Sequence, residues 1–338
     1  MRVCIVGGIF GKPPGYRAKH SISPETVLAD GLAARGIDVC VAGHQEPVQA
    51  DCDVVHVHHF GCAALRMAVG RTRQRFIFTP HDPFLMNGLP VPLKRRLADP
   101  IVLRRADRVV ALTEKERGFL ETRCGIARAR IAVIPNGIDS SAFHAAEGRQ
   151  RDAETLLFVG QLRKFKGLDY LLPVLAMVRR RHPNLRLIAV YQNDHGLARY
   201  LDVAARCGVA GCVDFAGAKA AHELRELYQT ATMVVVPSLG ECLSTVVSEA
   251  MLCGAPVVAT DTGGIREQLD AETGVIVPVR DVDALACAII HLLEHAEIRA
   301  NMGAAAHDKA AGRFTVQAMI DKHLDVYAAA LRQEKVIA

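Results

Sequence analysis

Residues Met233 to Glu267, MVVVPSLGECLSTVVSEAMLCGAPVVATDTGGIRE, constrain the fold more than any other stretch. Met233 to Val236 is apolar on both faces, the pattern of a strand buried in a parallel sheet, and Pro237 and Gly240 stop it. A short helix follows, with Ser244 as the expected N-cap. Val246, Ala250 and Cys253 recur at helical spacing, and Gly254-Ala255-Pro256 supplies the stop. A second apolar run then begins at Pro256. The stretch thus reads as strand, loop, helix, strand and loop, with the strands those of a buried parallel sheet. In such sheets ligands bind outside the carboxyl ends of the strands, where a helix start offers free N–H groups and a positive dipole end.

The rest of the chain repeats the pattern. Arg2–Val6, Asp38–Ala42, Val54–His58, Phe76–Thr79, Arg108–Leu112 and Ile131–Ile134 are short apolar or β-branched runs separated by helical stretches or loops. A polar segment without apolar periodicity, His144 to Glu154, reads as a linker. Leu156–Val159, Leu185–Val190, Val213–Phe215, Met233–Val236, Pro256–Thr260 and Gly274–Val277 form a second set. The length of 338 residues and 50% hydrophobic content support two cores of ordinary size. The expectation is α/β: two Rossmann-like domains, each with its own parallel sheet.

Two acids mark the central stretch, Glu241 in the loop and Glu249 in the helix, the latter four residues after Thr245 and on its face. Eight residues across a loop and a helix allow a separation of roughly 12 Å, wider than the paired carboxyls of a glycosidase. The two acids are therefore expected to serve different parts of one long ligand. Glu, seven residues, Glu, then Ala-Met-x-Cys-Gly-x-Pro-Val-Val-Ala-Thr-Asp-x-Gly-Gly-x-x-Glu resembles the donor site of the retaining GT-B glycosyltransferases of family four, the glycosyl transferases group 1.

That resemblance implies the GT-B fold, two Rossmann-like domains with parallel sheets facing across a cleft. Residues 1–145 would be the acceptor domain and 150–315 the nucleotide-sugar donor domain, with a last helix at about 316–338 crossing back to the first. It implies that Glu249 holds the ribose hydroxyls, that Glu241 touches the donor sugar, and that Ser244 and the N–H groups of Thr245 and Val246 meet the diphosphate. The loop from Ala216 to Lys219, with Gly217, would border the base. The family's Gly-Arg-Leu…Lys-Gly pattern falls on Gly160-Gln161-Leu162-Arg163-Lys164-Phe165-Lys166-Gly167. Lys166 matches. Gln161 stands where the family has arginine, and a neutral amide brings no charge, so Arg163 is the candidate replacement.

Two further constellations lie at strand ends in the first half. Gly7, Gly8, Gly11 and Gly15 follow the first strand, and Ser23-Pro24-Glu25 reads as N-cap, N1 proline and first-turn acid of a helix ending at Gly36. The glycine spacing is not a dinucleotide fingerprint, and tight-turn geometry accounts for it equally well. By the resemblance, Gly7 and Gly8 become backbone contacts to donor and acceptor. Phe76 to Asp82, FIFTPHD, closes on His81-Asp82; the family carries a histidine bordering the donor sugar and acceptor at the place of His81, and Asp82 is a weaker candidate.

Other patterns carry no site. His56, His58 and His59 suggest a metal, but neighbours on a strand point to opposite faces, so His58 and His59 are expected to diverge. Asp51-x-Asp53 and Asp281-x-Asp283 are tripeptides common by chance, and Asp281 reads as an N-cap. His291-Leu-Leu-Glu294-His295 fits a zinc-peptidase pattern, yet Leu285, Ala288, Ile289 and Leu292 already account for that helix as a core element. The ten cysteines contain no Cys-x-x-Cys pair and read as scattered, reduced, mostly buried thiols.

Charge is uneven. Residues 1–150 hold 21 Lys+Arg against 14 Asp+Glu, a net +7, and residues 151–338 hold 20 against 22, a net −2. Lys94, Arg95, Arg96, Arg104, Arg105 and Arg108 concentrate the excess, consistent with a solubilising face, an anionic acceptor or a peripheral membrane contact. Nucleic acid is not expected, because aromatics are 5% of the chain and leave few stacking platforms. No apolar run approaches the ~18 residues of a membrane span, and the opening MRVCIVGGIFG reads as a strand entering a glycine loop rather than a signal peptide. A cytoplasmic protein is expected, with a peripheral contact at the inner membrane face as the extension of that expectation.

The functional expectation is a retaining, metal-independent glycosyltransferase. It would move a sugar from a UDP- or GDP-sugar to a hydroxyl on a glycan, lipid or small molecule, with no cofactor. Two rivals share the fold: a nucleotide-sugar epimerase or phosphorylase, and a catalytically silent nucleotide-sugar-binding protein, which the loss of the arginine at Gln161 would suit.

Overall fold

The computed structural model describes residues 1–13, 23–70, 72–82, 86–146, 148, 151–152 and 154–332. The chain divides into two compact units, Met1–Gly137 with Phe314 onward, and Ile138–Arg313. The first unit runs β1 (Arg2–Val6), α1 (Pro24–Ala34), β2 (Asp38–Ala42), β3 (Val54–His58), α2 (Cys62–Val69), β4 (Arg75–Thr79), α3 (Leu93–Arg105), β5 (Arg108–Ala111), α4 (Glu114–Cys124) and β6 (Ile131–Val133). Among the described residues its sheet has the order β2-β1-β3-β4-β5-β6, every pairing parallel.

The second unit runs β7 (Thr155–Val159), α5 (Leu168–Val178), β8 (Arg186–Val190), α6 (Leu197–Arg206), β9 (Val213–Gly217), α7 (Ala221–Thr230), β10 (Met233–Val236), α8 (Thr245–Leu252), β11 (Val257–Thr260), α9 (Ile265–Gln268), β12 (Val275–Val277), α10 (Val282–Glu294) and α11 (Ala296–Arg313). Its sheet order is β12-β11-β10-β7-β8-β9, again parallel throughout. Read from the other edge, this is the 3-2-1-4-5-6 order of dinucleotide-binding folds, with its switch point between β7 and β10. In the first unit the order reverses between β1 and β3.

Buried strands explain why the apolar runs were continuous rather than alternating. Every residue of β3, β4, β10 and β11 is buried, because helices cover both faces. A last helix, α12 (Val316–Arg332), completes the first unit. It buries Met319, Ile320, Val326 and Tyr327 in one cluster with Val3, Ile5, Leu28, Leu32 and Ile77. Gly31 lets the two helices approach closely, since a Cβ there would lie 2.7 Å from Ile320 Cδ1 and push that side chain aside.

Local signals are realised where the sequence placed them. Ser23 caps α1 through a capping box with Thr26, Pro24 stands at N1, and Gly36 takes φ +74 past the helix end. Asp281 caps α10 by accepting from the Ala284 N–H at 2.9 Å. Gly254 ends α8 at φ +66.

Candidate functional site

The second unit builds its constellation at the switch point, where the loops after β7, β10 and β11 meet. Gly167, at φ +79, closes a single 3₁₀ turn, Lys164–Lys166. A Cβ on Gly167 would fall 1.8 Å from the Pro237 carbonyl oxygen, so only glycine lets the post-β7 loop press against the post-β10 loop. The Leu239 N–H donating to the Phe165 carbonyl at 2.7 Å joins the same two loops. From the other side Gly263, at φ +53, would place a Cβ 1.9 Å from the Glu241 carbonyl, and the Gly264 N–H donates to the Cys242 carbonyl at 2.7 Å.

Glu241 is therefore held by three loops. Its Oε1 accepts from Lys166 Nζ at 2.7 Å and from Ser238 Oγ at 2.7 Å, and it is buried. Two charges separated by a long stretch of sequence become one charge-assisted pair beside the N-terminus of α8. Gln161 and Arg163 are exposed on the same loop, with Leu162 buried between them. The Arg163 N–H donates to the Gln161 carbonyl at 2.7 Å.

Ser244 holds the N-cap position of α8, but its side chain does not cap the helix, contrary to expectation. The reason is Gln268, which grips the Ser244 backbone from α9. The Ser244 N–H donates to Gln268 Oε1 at 3.1 Å, and Gln268 Nε2 donates to the Ser244 carbonyl and to Ser248 Oγ, both at 2.8 Å. Thr245 and Val246 form the first turn, whose N–H groups have no intrahelical acceptor.

Glu249 is not a solvated helix residue. It is 8% exposed, and Tyr228 of α7 donates its hydroxyl to Oε2 at 2.8 Å. Burial pushes its carboxyl up to about 7, against the opposing pull of the Tyr228 hydrogen bond. Gly217, at φ +66, ends β9 at the sheet edge, two strands from β7.

The first unit gathers a second constellation at its own switch point. His81 Nε2 lies 2.8 Å from His58 Nδ1, their rings stacked with centroids 5.1 Å apart, and the His59 ring is 4.7 Å from that of His81. His59 Nε2 meets Glu25 Oε1 of α1 at 3.0 Å. The alternation argument fails here because β3 ends at His58. His59 takes φ +66 and His81 φ +47, so both leave strand geometry and turn toward each other.

Burial drives His58 and His81 well below the ordinary imidazole range. Glu25 is lowered despite its burial, by the His59 hydrogen bond and the neighbouring imidazoles. His58, His81, Thr79, Asn136 and His323 line a small cavity, and His58 Nε2 has no partner there. Such a space suits about one water.

Gly7 and Gly8 stand side by side but differ in what they need. A Cβ on Gly7 would lie 2.8 Å from Glu25 Cγ, so its glycine is explained by α1. At Gly8 the nearest atoms are 3.7 Å away, on the His44 ring. Gly15 lies outside the described residues.

The patterns set aside find other partners. Asp51 pairs with the Arg2 guanidinium, and Asp53 accepts the Arg2 N–H at 2.8 Å. Glu294 pairs with Arg181 at 2.6 Å, and His295 Nδ1 bonds the His291 carbonyl, so the zinc-like triplet does not converge. Asp82, the weaker site candidate, pairs with the Arg95 guanidinium. His56 bridges Tyr327 OH and Thr79 Oγ1, each at 2.7 Å, tying α12 to the sheet. The cysteines are all free but not all scattered. Cys4 and Cys40 are register partners on β1 and β2, and Cys40 Sγ lies 3.3 Å from Cys52 Sγ.

With this geometry in place, comparison with known proteins is specific. The sequence pattern described as "Glycosyl transferases group 1" matches residues 139–309, and that of "Glycosyltransferase Family 4" matches residues 44–142. The chain belongs to the group 1 glycosyl transferases. It is 32% identical over 285 residues to the D-inositol 3-phosphate glycosyltransferase of Frankia alni, covering 77% of this chain and 70% of that protein. It is 30% identical over 371 residues to the enzyme of the same name from Acidothermus cellulolyticus, covering 95% and 81%. Among solved structures, sucrose-phosphate synthase from Thermosynechococcus elongatus superposes with a TM-score of 0.83 at 19% identity, over 97% of this chain and 98% of that one. Anabaena Alr3699/HepE in complex with UDP gives 0.76 at 19% identity, over 97% and 100%.

This glycosyltransferase thus has the GT-B family's two Rossmann-like units. Sequence reasoning missed Tyr228, Ser238 and Gln268, which position Glu249, Glu241 and the start of α8. Gln268 directly follows the Glu267 that closes the family pattern, so the pattern's edge was the one available signal. Tyr228 and Ser238 left none.

Proposed function

We propose that the enzyme is a retaining, metal-independent glycosyltransferase that takes a sugar from a uridine-diphosphate sugar. The second unit carries the donor and the first the hydroxyl acceptor. The observation that supports this best is the Lys166–Glu241 pair, fixed by three loops at the switch point beside the free N–H groups of α8. Lys166, with the N–H groups of Thr245 and Val246, stabilises the leaving diphosphate. Glu249 orders the ribose, Glu241 the sugar, and the loop at Gly217 the base. Arg163 supplies the charge that Gln161 does not. Gly7 and Gly8 contact donor and acceptor through their backbone, and His81 borders the donor sugar and the acceptor.

The chemistry needs no nucleophile from the chain. The acceptor hydroxyl attacks the face from which the phosphate leaves, and a phosphate oxygen takes its proton. Fixed cations and a helix end perform the task a divalent ion performs elsewhere. UDP is favoured as the nucleotide because HepE, of the same fold, holds it. The relatives named for D-inositol 3-phosphate favour a small polyol-phosphate acceptor. Ten free cysteines fit a reducing compartment such as the cytoplasm.

The test is a transfer assay in EDTA after thermal-shift comparison of UDP, GDP, ADP and dTDP. The preferred nucleotide at 100 times its dissociation constant adds about 2.7 kcal/mol of stability. UDP is expected to give the largest shift, and transfer to persist in EDTA. Activity abolished by chelation and restored by Mn²⁺ would overturn metal independence.

A further inference from the structure

The outer face of α3 is not required by the fold. Leu93, Leu97 and Ile101 are 69%, 67% and 45% exposed, at i, i+4 and i+8. The helix meets the core through Val102 and Leu103, both buried, and through Arg95, whose guanidinium lies 4.8 Å over the Phe60 ring. Arg95 also pairs with Asp82 and Asp99, and Arg108, in β5, is buried. Two of the six cations in the basic cluster are therefore turned inward. Lys94, Arg96, Arg104 and Arg105 remain exposed.

At 3.6 residues per turn, Leu93, Arg104, Leu97, Ile101, Lys94 and Arg105 fall in that order within an arc of about 120°. The single acid of the helix, Asp99, is buried on the opposite side. An apolar stripe with cations within and beside it, and no acid among them, is the pattern of a helix lying in the headgroup region of a bilayer. No described helix is long and apolar enough to cross a membrane.

We infer that α3 docks the enzyme on an anionic lipid surface, its axis in the plane, with Leu93, Leu97 and Ile101 inserted and Lys94, Arg104 and Arg105 at the phosphates. A second copy of the chain is disfavoured as occupant, because a two-fold contact through this face brings the same cations against each other. The inference is independent of the donor site, since it concerns a surface of the first unit alone.

The experiment is flotation of the full chain with phosphatidylcholine vesicles, with and without phosphatidylglycerol. It compares wild type with Leu97→Ser/Ile101→Ser and Lys94→Gln/Arg105→Gln. These positions are exposed, so circular dichroism and donor binding should match wild type. Wild type is expected to float with the anionic vesicles only. The charge variant should bind about 25-fold more weakly, roughly fivefold per cation, and the aliphatic variant at least tenfold more weakly. Wild type that never floats overturns the inference. So does floating that salt or Lys94→Gln/Arg105→Gln abolishes but Leu97→Ser/Ile101→Ser leaves unchanged, which would mark a patch any polyanion satisfies. A dimer in sedimentation that Leu97→Ser/Ile101→Ser dissolves would assign the stripe to a second copy instead.

Discussion

Replacing Glu249 by Gln should make the protein more stable, by an amount set by pH. The carboxyl is buried and its value is raised by burial from 4.5 to about 7, the Tyr228 hydrogen bond notwithstanding. Because the folded value lies above the unfolded one, the folded state holds a proton that the unfolded state releases between pH 4.5 and 7. Stability therefore falls as pH rises through that window and levels off above it. At ~1.4 kcal/mol per unit, the buried carboxylate costs about 3 kcal/mol at pH 8 and about 1 kcal/mol at pH 5.

Glutamine keeps the shape and an oxygen for Tyr228 but carries no charge to desolvate. The gain of Glu249→Gln over wild type should thus widen by about 2 kcal/mol from pH 5 to pH 8. For a unit of this size that is a change of roughly 4–8 °C in the difference between melting temperatures. Calorimetry at the two pH values reads it directly. A gap independent of pH, or a wild type more stable than the variant at pH 8, would refute the reasoning. If the carboxylate also bridges ribose hydroxyls, UDP binding at pH 6 should expel about one proton from wild type and none from the variant. Titration calorimetry in two buffers of different ionisation heat would detect it.

Lys166→Ala should lower kcat by about 10²-fold, the worth of one preorganised donor to a developing charge, while Arg163→Ala should lower it at least tenfold and Gln161→Arg should partly restore that variant. Steady-state kinetics that find Arg163→Ala silent and Lys166→Ala severe would leave the lysine to carry the diphosphate alone. Gly167→Ala should abolish transfer or soluble expression, because its Cβ meets the Pro237 carbonyl, whereas Gly208→Ala, also at positive φ but facing open space, should fold and retain full transfer activity. Equal behaviour of the two variants would show that backbone strain, not the approach of the two loops, sets the requirement.

The strands were legible because both sheets are parallel and covered on both faces, which makes each central strand a short continuous apolar run between loop signals. The sheet order was not. Nothing in the runs themselves says that β7 and β10, far apart in sequence, are neighbours. Capping was readable where a side chain bonds its own helix, as at Ser23 and Asp281, and misleading at Ser244, where a glutamine from elsewhere satisfies the backbone. The histidines misled for a related reason. Period-2 alternation holds only inside a strand, and β3 ends at His58, so His59 at φ +66 is free of it.

The glycines of the family pattern show what kind of site information a sequence can carry. Gly167 and Gly263 lie far apart in the chain, yet each is needed because the backbone on either side of Glu241 approaches it too closely for a Cβ. Their common cause is a single three-loop junction that fixes one carboxylate against one lysine. The residues that touch Glu241 through side chains are under a weaker constraint, since Ser238 contributes only a hydroxyl and other donors fit that space. Backbone collisions admit one residue type, hydrogen-bond donors admit several. That is why Gly-Gly and Lys-Gly were visible as a pattern while Ser238 and Tyr228, which hold the two acids in place, left no mark that reading the chain could find.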